Sequence, residues 1–361
     1  MSKEFNIIGI VGYGKIGRIY REIFDELTAH FLIVDPKMDE DRENYIYFSL
    51  EDVPEEVFRH VQAWNICVPT ENHLEILSEI LSRNPRAWII IEKPICLSFE
   101  IDSFRALLIR YPDAHIVGNE QYNDSLAINE LKDFLAKTGI RRPELIRIEF
   151  SKDRRPDIAA GRFVDLHYGL LGYEWVHMLA ILRNLLGERW SEYAYAPSRI
   201  WPTFDVVQFV SELEEHTAMS SGTKVELRSS MIGNYEYESF LPVDQLVQHR
   251  YVEVRSGSLR FMLQMEPRFK TQTTGGLFEN LFRIEEGDSV LRESSIHDPS
   301  MPRFLQSTLR HLYEHAESPI EIDWPFMERI ISMRQLLRDH YNQNKPGALE
   351  QVKTELLHQT R

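Results

Sequence analysis

The chain has 361 residues, 43% of them hydrophobic, and a formal net charge of −15. That length exceeds one typical core and predicts two domains, and the composition excludes intrinsic disorder. The acidic balance excludes a nucleic-acid partner, whose phosphates need a basic face.

From residue 6 to about 122, strand and helix patterns alternate. Residues 7–17, IIGIVGYGKIG, join an apolar run to Gly12-x-Gly14-x-x-Gly17. The opening residues run straight into that strand, with no signal-peptide cleavage site. No stretch approaches a membrane span, so a cytoplasmic protein with no membrane partner is expected. A helix predicted over 15–28 leads to a second apolar run, 30–35, which ends at Asp35, eighteen residues after Gly17. Further strands are predicted at 63–69, 87–92 and 114–119, with helices at 72–84 and 99–110. Near-continuous apolar strands between amphipathic helices imply an α/β domain with a doubly wound parallel sheet. Cys67 and Cys96, the two cysteines, lie in apolar runs and read as buried free thiols.

From about 123 the character changes, which sets the expected domains at 1–122 and 123–361. A helix is predicted over 126–138 and a strand over 145–151. After the loop KDRRPDIAAGR comes an apolar helix, about 170–186, closed by Gly187. Residues 193–290 then alternate in strand style, with strands expected at 204–213, 224–232, 235–241, 250–257, 258–265 and 280–288. The second domain is therefore expected to be α+β, with a large, mainly antiparallel open sheet that has one wet face. Two helices, near 324–343 and 346–358, close the chain.

The strand, glycine turn, helix and acidic strand end form a dinucleotide fingerprint. Its cofactor-binding candidates are Gly12, Tyr13, Gly14, Lys15, Ile16, Gly17 and Asp35. The glycines allow close approach to a pyrophosphate, and the helix N-terminus supplies donors to it. Asp35 is either a strand-end cap or the acceptor of both adenosine ribose hydroxyls. The second role repels a 2′-phosphate and favours NAD, with NADP possible because Lys37 is near. The apolar run 88–91 delivers Glu92-Lys93-Pro94 to a strand end. Lys93 is either a solvated lysine or a donor to a substrate oxygen during hydride transfer. Glu92 would orient Lys93 or the cofactor. Scattered histidines lack ligand spacing, and no metal is expected.

On these residues the chain resembles the glucose–fructose oxidoreductase/inositol dehydrogenase (Gfo/Idh/MocA) family over nearly its whole length. The resemblance rests on the fingerprint with Asp35, on Val68-Pro69 followed by His73, and on Glu92-Lys93-Pro94. It extends to VGNEQY (117–122), GYEWVHMLAILRNLLG (172–187) and SPIEIDWPFMERIISM (318–333). It implies that Pro69, Thr70 and His73 border the cofactor; otherwise they form an ordinary helix start. It places His177, which alone would read as a core histidine, on the family's catalytic histidine. Tyr173 stands where the family often has an aspartate, Gln121 where it often has an arginine, and Ala180 where a second acid often follows. Glu174, a catalytic candidate with Lys93 and His177, then orients His177 or binds a substrate hydroxyl. Asn119, Gln121, Tyr122, Asp165, Tyr173, Glu174, His177 and Lys93 are the substrate-binding candidates. Arg162 and His167 extend the same polar wall, and KDRR (152–155) is either a solvated surface or an anion site.

The resemblance implies hydride transfer between NAD(P) and a hydroxyl or carbonyl carbon of a sugar, sugar derivative or cyclitol. Two alternatives are a cofactor-recycling eliminase or glycosidase, and a non-catalytic dinucleotide-binding regulator. Association as a homodimer or homotetramer through the second domain's sheet is expected.

Overall fold

The computed structural model describes residues 5–25, 28–39, 41, 43–161, 165, 167–205, 209–270, 278–314 and 322–344. The chain forms two units, residues 1–120 with 304–323 and residues 121–303 with 324–361. The return of 304–323 to the first unit has no signal in the sequence.

In the first unit the strands are β1 (Phe5–Val11), β2 (Thr28–Val34), β3 (Ile46–Tyr47), β4 (Ala63–Ile66), β5 (Trp88–Ile91) and β6 (His115–Gly118). The helices between them are α1 (Lys15–Phe24), α2 (Glu55–Phe58), α3 (His73–Arg83) and α4 (Ile101–Arg110). All pairings are parallel, in the order β3-β2-β1-β4-β5-β6. Ile8, Ile10, Ile33, Ile66 and Ile89 to Ile91 are buried, as strands covered on both faces require. The chain winds outward from β1 to β3, then restarts on the other side of β1 at β4. That reversal opens the crevice at the carboxyl ends of β1 and β4 where open α/β sheets bind ligands.

The second unit carries α5 (Leu126–Lys137), β7 (Leu145–Lys152), α6 (Arg155–Ala159), a π-helical turn at Leu171–Trp175, α7 (Val176–Leu186) and α8 (Trp190–Ala194). Then come β8 (Ser198–Asp205), β9 (Phe209–Ala218), β10 (Lys224–Ser230), β11 (Leu246–Ser256), β12 (Leu259–Gln264), β13 (Arg268–Phe269), β14 (Glu279–Glu286) and β15 (Ser289–His297). Helix α9 (Ser300–Glu314) follows, with residues from 304 onward counted in the first unit, and α10 (Trp324–Asn344), in the second, ends the described chain. The sheet runs β15-β14-β12-β11-β7-β10-β9-β8, with β13 beside β11. The β7–β10 pair is parallel and the others are antiparallel. Alternation splits the two faces. Ile146, Ile148, Val225, Leu227, Val252, Val254, Phe261 and Leu263 are buried on one. The other bears a lattice of ion pairs, including Arg147–Glu226 (2.5 Å), Arg260–Glu253 (2.5 Å) and Arg283–Glu293 (2.5 Å).

The expected strand at 235–241 does not form. The backbone amides of Glu236 and Tyr237 donate to the Glu149 carboxylate (3.2 and 2.7 Å) instead of to a neighbouring strand. Tyr237 then packs on Tyr251 and Met262, with Phe240 alongside. The expected single strand at 204–213 is not one strand: its start belongs to β8 and its end to β9, which pair antiparallel with Phe204 opposite Val210, and Pro202 is accommodated because β8 is an edge strand. Helix α9 has no counterpart among the expected elements; its Pro302 falls in the first turn, where proline is tolerated. The helix expected at 346–358 and Arg162 lie outside the described residues. Cys67 is partly exposed, against the expectation of two buried thiols, and Cys96 is buried. Among the described residues no helix is long and apolar enough to cross a membrane.

Candidate active site

The first unit's site begins at the turn between β1 and α1. Gly12 has φ +91°, and a Cβ there would lie 2.9 Å from the backbone of Cys67. A Cβ on Gly17 would lie 2.2 Å from the Gly12 carbonyl oxygen, so only glycine lets α1 pack this closely. A Cβ on Gly14 would meet nothing within 4 Å, and that residue is exposed. The turn is tight beneath and open above, which fits a pyrophosphate at the N-terminus of α1. Asp35 is fixed beside it. Its Oδ2 accepts the Tyr13 amide at 2.6 Å and its Oδ1 accepts the Lys37 amide at 2.8 Å. Each carboxylate oxygen retains a further lone pair for a ribose hydroxyl. Tyr13 itself is bordered by Arg21, whose Nη1 donates to its hydroxyl at 2.9 Å. Lys15 is exposed and Ile16 partly so.

At the end of β5 the Glu92 carboxylate is buried beneath Lys93. Its Oε1 accepts from the Tyr20 hydroxyl and from Asn119 Nδ2 (2.6 Å), and its Oε2 accepts from Lys93 Nζ (3.1 Å). Asn119 Nδ2 also donates to the Tyr20 oxygen. Burial pushes the Glu92 carboxyl up, but the Lys93 ammonium and the two donors outweigh it and hold Glu92 below the usual carboxylate range. The Lys93–Pro94 peptide is cis. His73 is buried, with Nε2 2.9 Å from the Val68 carbonyl and Nδ1 3.3 Å from that of Ile95. Burial lowers its pKa, and the single N–H of a neutral ring can donate to one of these two carbonyls. Pro69 opens the short helical turn of Thr70 to Asn72, and no side chain caps it or α3.

In the second unit the π-helical turn bears Tyr173 and Glu174 and feeds directly into α7; such turns recur at functional sites. Helix α7 is buried almost throughout, but His177 is partly exposed in a run whose neighbours Val176 and Met178 to Leu182 are buried. Its imidazole lies edge-on to Tyr122, ring centroids 5.3 Å apart. Tyr122 accepts from Arg250 Nη1 at 3.3 Å, and Arg250 also binds Glu266 at 2.6 Å. The buried Glu174 carboxylate accepts from Arg154, which also reaches Asp157 at 2.9 Å. The Tyr173 hydroxyl accepts the Asp165 amide at 2.9 Å. Asp165 Oδ1 accepts the amides of His167 and Tyr168, both at 2.9 Å. Asp165 and Tyr173 thus brace the segment before α7. Gln121 is buried in the short helical turn that also carries Tyr122. Arg154, within KDRR, is buried, whereas Arg155 is exposed.

Sequence reasoning missed Tyr20 and Arg250. Tyr20 reads as a core aromatic, and Arg250 as one charge among many on an alternating strand.

A model of the oxidoreductase family with an NAD-binding Rossmann fold (Gfo/Idh/MocA) matches residues 7–107. No curated protein matches the sequence. Among solved structures, the chain is similar to UDP-N-acetylglucosamine 3-dehydrogenase GnnA from Acidithiobacillus ferrooxidans. That match has TM-score 0.65 and 14% identity, over 93% of this chain and 97% of that one. KijD10, a 3-ketoreductase from Actinomadura kijaniata solved with NADP and TDP-benzene, has TM-score 0.67 and 13% identity over 92% and 97%. A putative NADPH-dependent oxidoreductase from Desulfitobacterium hafniense has TM-score 0.70 and 12% identity over 96% and 97%. At these identities the likenesses establish the fold. Residues 7–107 thus match the NAD-binding Rossmann fold of the Gfo/Idh/MocA oxidoreductase family.

Proposed function

We propose that the chain is an NAD(P)-dependent oxidoreductase acting on a hydroxyl- or carbonyl-bearing carbon of a sugar, sugar derivative or cyclitol. The observation that carries this reading is Lys93, an ammonium at the carboxyl end of a buried strand, hydrogen-bonded to the buried Glu92. The bound nicotinamide supplies the hydride donor or acceptor. Asp35 accepts the adenosine ribose hydroxyls, and the N-terminus of α1 faces the pyrophosphate. Lys93 donates to the substrate oxygen and stabilises the charge that develops there. His177 takes the hydroxyl proton in oxidation and returns it in reduction. Tyr122 packs edge-on against that imidazole and fixes its ring.

The arginines of the second unit support a hydroxyl-rich substrate. Arg154 is paired with Glu174 and Arg250 with Glu266, so they offer matched donors and acceptors instead of bare positive charge. GnnA and KijD10 are named for a sugar-nucleotide dehydrogenation and a keto reduction, reactions of the proposed class. The ion-paired face of the nine-stranded sheet is the surface through which copies would associate as a dimer or tetramer.

The test is a screen for changes in nicotinamide absorbance over sugars, sugar phosphates, nucleotide sugars and inositols with both cofactors. Turnover with any of these supports the reading. NADH binding without hydride transfer to or from any of them overturns it.

A further inference from the structure

We propose that Tyr20, acting through Glu92 together with Asn119, is a positioning residue that holds the Lys93 ammonium at the edge of the parallel sheet. This rests on the reading of Lys93 as the donor to the substrate oxygen. Tyr20 lies three residues after Gly17 on α1 and is fully buried, as Asn119 nearly is. Its hydroxyl and the Asn119 amide converge on Glu92 Oε1, which leaves Oε2 for Lys93. A buried carboxylate is costly unless it is paired and hydrogen-bonded. An apolar side chain would fill the end of β5 at lower cost if packing were its whole purpose. Three donors on one carboxylate instead fix both its charge and its rotation. A fixed Oε2 places the ammonium. Among the described residues that is the one hydrogen bond Lys93 makes, so its other N–H bonds remain for a ligand.

The titratable groups facing Glu92 are Tyr20 from α1, Cys67 after β4, His73 of α3, and Lys93. Lost solvation and the nearby Glu92 charge hold the Tyr20 hydroxyl and the partly exposed Cys67 thiol protonated, and burial holds His73 neutral, so Lys93 is the charged neighbour of the carboxylate.

The test follows Glu92 directly by NMR in protein isotope-labelled at the glutamate side-chain carboxyl, the signal assigned by its loss in Glu92→Gln. Tyr20→Phe keeps the ring and removes one donor. It should raise the Glu92 titration midpoint by about one to two pH units, the size of one hydrogen bond to a charged group. Asn119→Ala, which removes the other donor on Oε1, should move it the same way. NADH affinity should be little changed in Tyr20→Phe. On an identified substrate kcat should fall about tenfold, with KM for NADH unaltered and the acid limb of the pH profile moved up. A Glu92 midpoint unmoved in both variants overturns the proposal, whatever Lys93→Ala does. A moved midpoint with Lys93→Ala at parental turnover upholds the positioning of Lys93 and removes its catalytic role.

Discussion

The guanidinium of Arg154, just past the end of β7, is salt-bridged to the carboxylate of Glu174 in the π-helical turn that leads into α7. Both side chains are buried. A buried pair is expensive to break because the remaining partner keeps its charge without compensation. Arg154→Ala should therefore cost about 3–5 kcal/mol in urea unfolding. Glu174→Gln keeps an acceptor for the guanidinium and should cost less. The double variant Arg154→Met with Glu174→Leu should recover much of the loss, since neither charge is then left behind. An Arg154→Ala protein with the parental urea midpoint would mean that this pair does not anchor the turn.

Asp35 should set the cofactor preference. Its carboxylate is already held by the Tyr13 and Lys37 amides, so on the proposed reading it would meet a ribose pre-oriented and would set negative charge against a 2′-phosphate. Direct titration should show tighter binding of NADH than of NADPH. Asp35→Ala should weaken NADH roughly tenfold or more, the scale of a charged hydrogen bond, while NADPH gains from the lost repulsion. Equal affinities in the parent protein would remove Asp35 from this role.

Glu149 and His249 should give the second unit two opposed pH dependences. They lie 3.9 Å apart, both fully buried. Burial raises the Glu149 carboxyl from 4.5 to about 7, against the Tyr237 amide and Arg228, which pull it down. The folded state therefore binds the extra proton, and its stabilisation is lost as pH rises from about 4.5 to about 7. Burial lowers His249 from 6.5 to about 4, so its contribution is present above 6.5 and is lost as pH falls towards 4. Each effect is on the order of 3 kcal/mol at most, and between these limits they offset one another. Thermal midpoints of Glu149→Gln should climb with pH through the histidine window. Those of His249→Gln should fall through the carboxyl window. Identical profiles for the parent and both variants would reject the assignment.

The parallel sheet is legible in the sequence because runs such as 88–91 are apolar without a break, and only a strand buried on both faces needs that. The fingerprint is legible because Gly12 and Gly17 each sit where a Cβ would strike backbone. Two-residue β3 and four-residue α2 leave no periodicity to read. The segment 235–241 alternates like a strand, yet a buried carboxylate on β7 takes its amides. Lys93 and Glu92 stand out as neighbours, but their support from Tyr20 spans 72 positions in the chain. Asp165 and Tyr173 look like substrate ligands by placement. Their bond to one another appears only when the loop closes.

The proposed chemistry assigns separate steps to Lys93 and His177. Lys93 stabilises charge on the substrate oxygen, and Lys93→Ala should lower turnover by about 10²–10³, the usual loss for such a donor. Cofactor affinity should change far less, because Asp35 and the glycine turn are untouched. His177→Ala should lower turnover on the order of 10²–10⁴ and remove the ionisation near neutrality from the pH–rate profile. Glu174→Gln should be milder than either, because in this fold its carboxylate meets Arg154. The two losses should not add fully if both groups act on one proton-coupled hydride step. Near-parental turnover of both Lys93→Ala and His177→Ala on the true substrate would reject the mechanism. Tyr122, which packs edge-on against His177, and its partner Arg250 would then be the next to substitute.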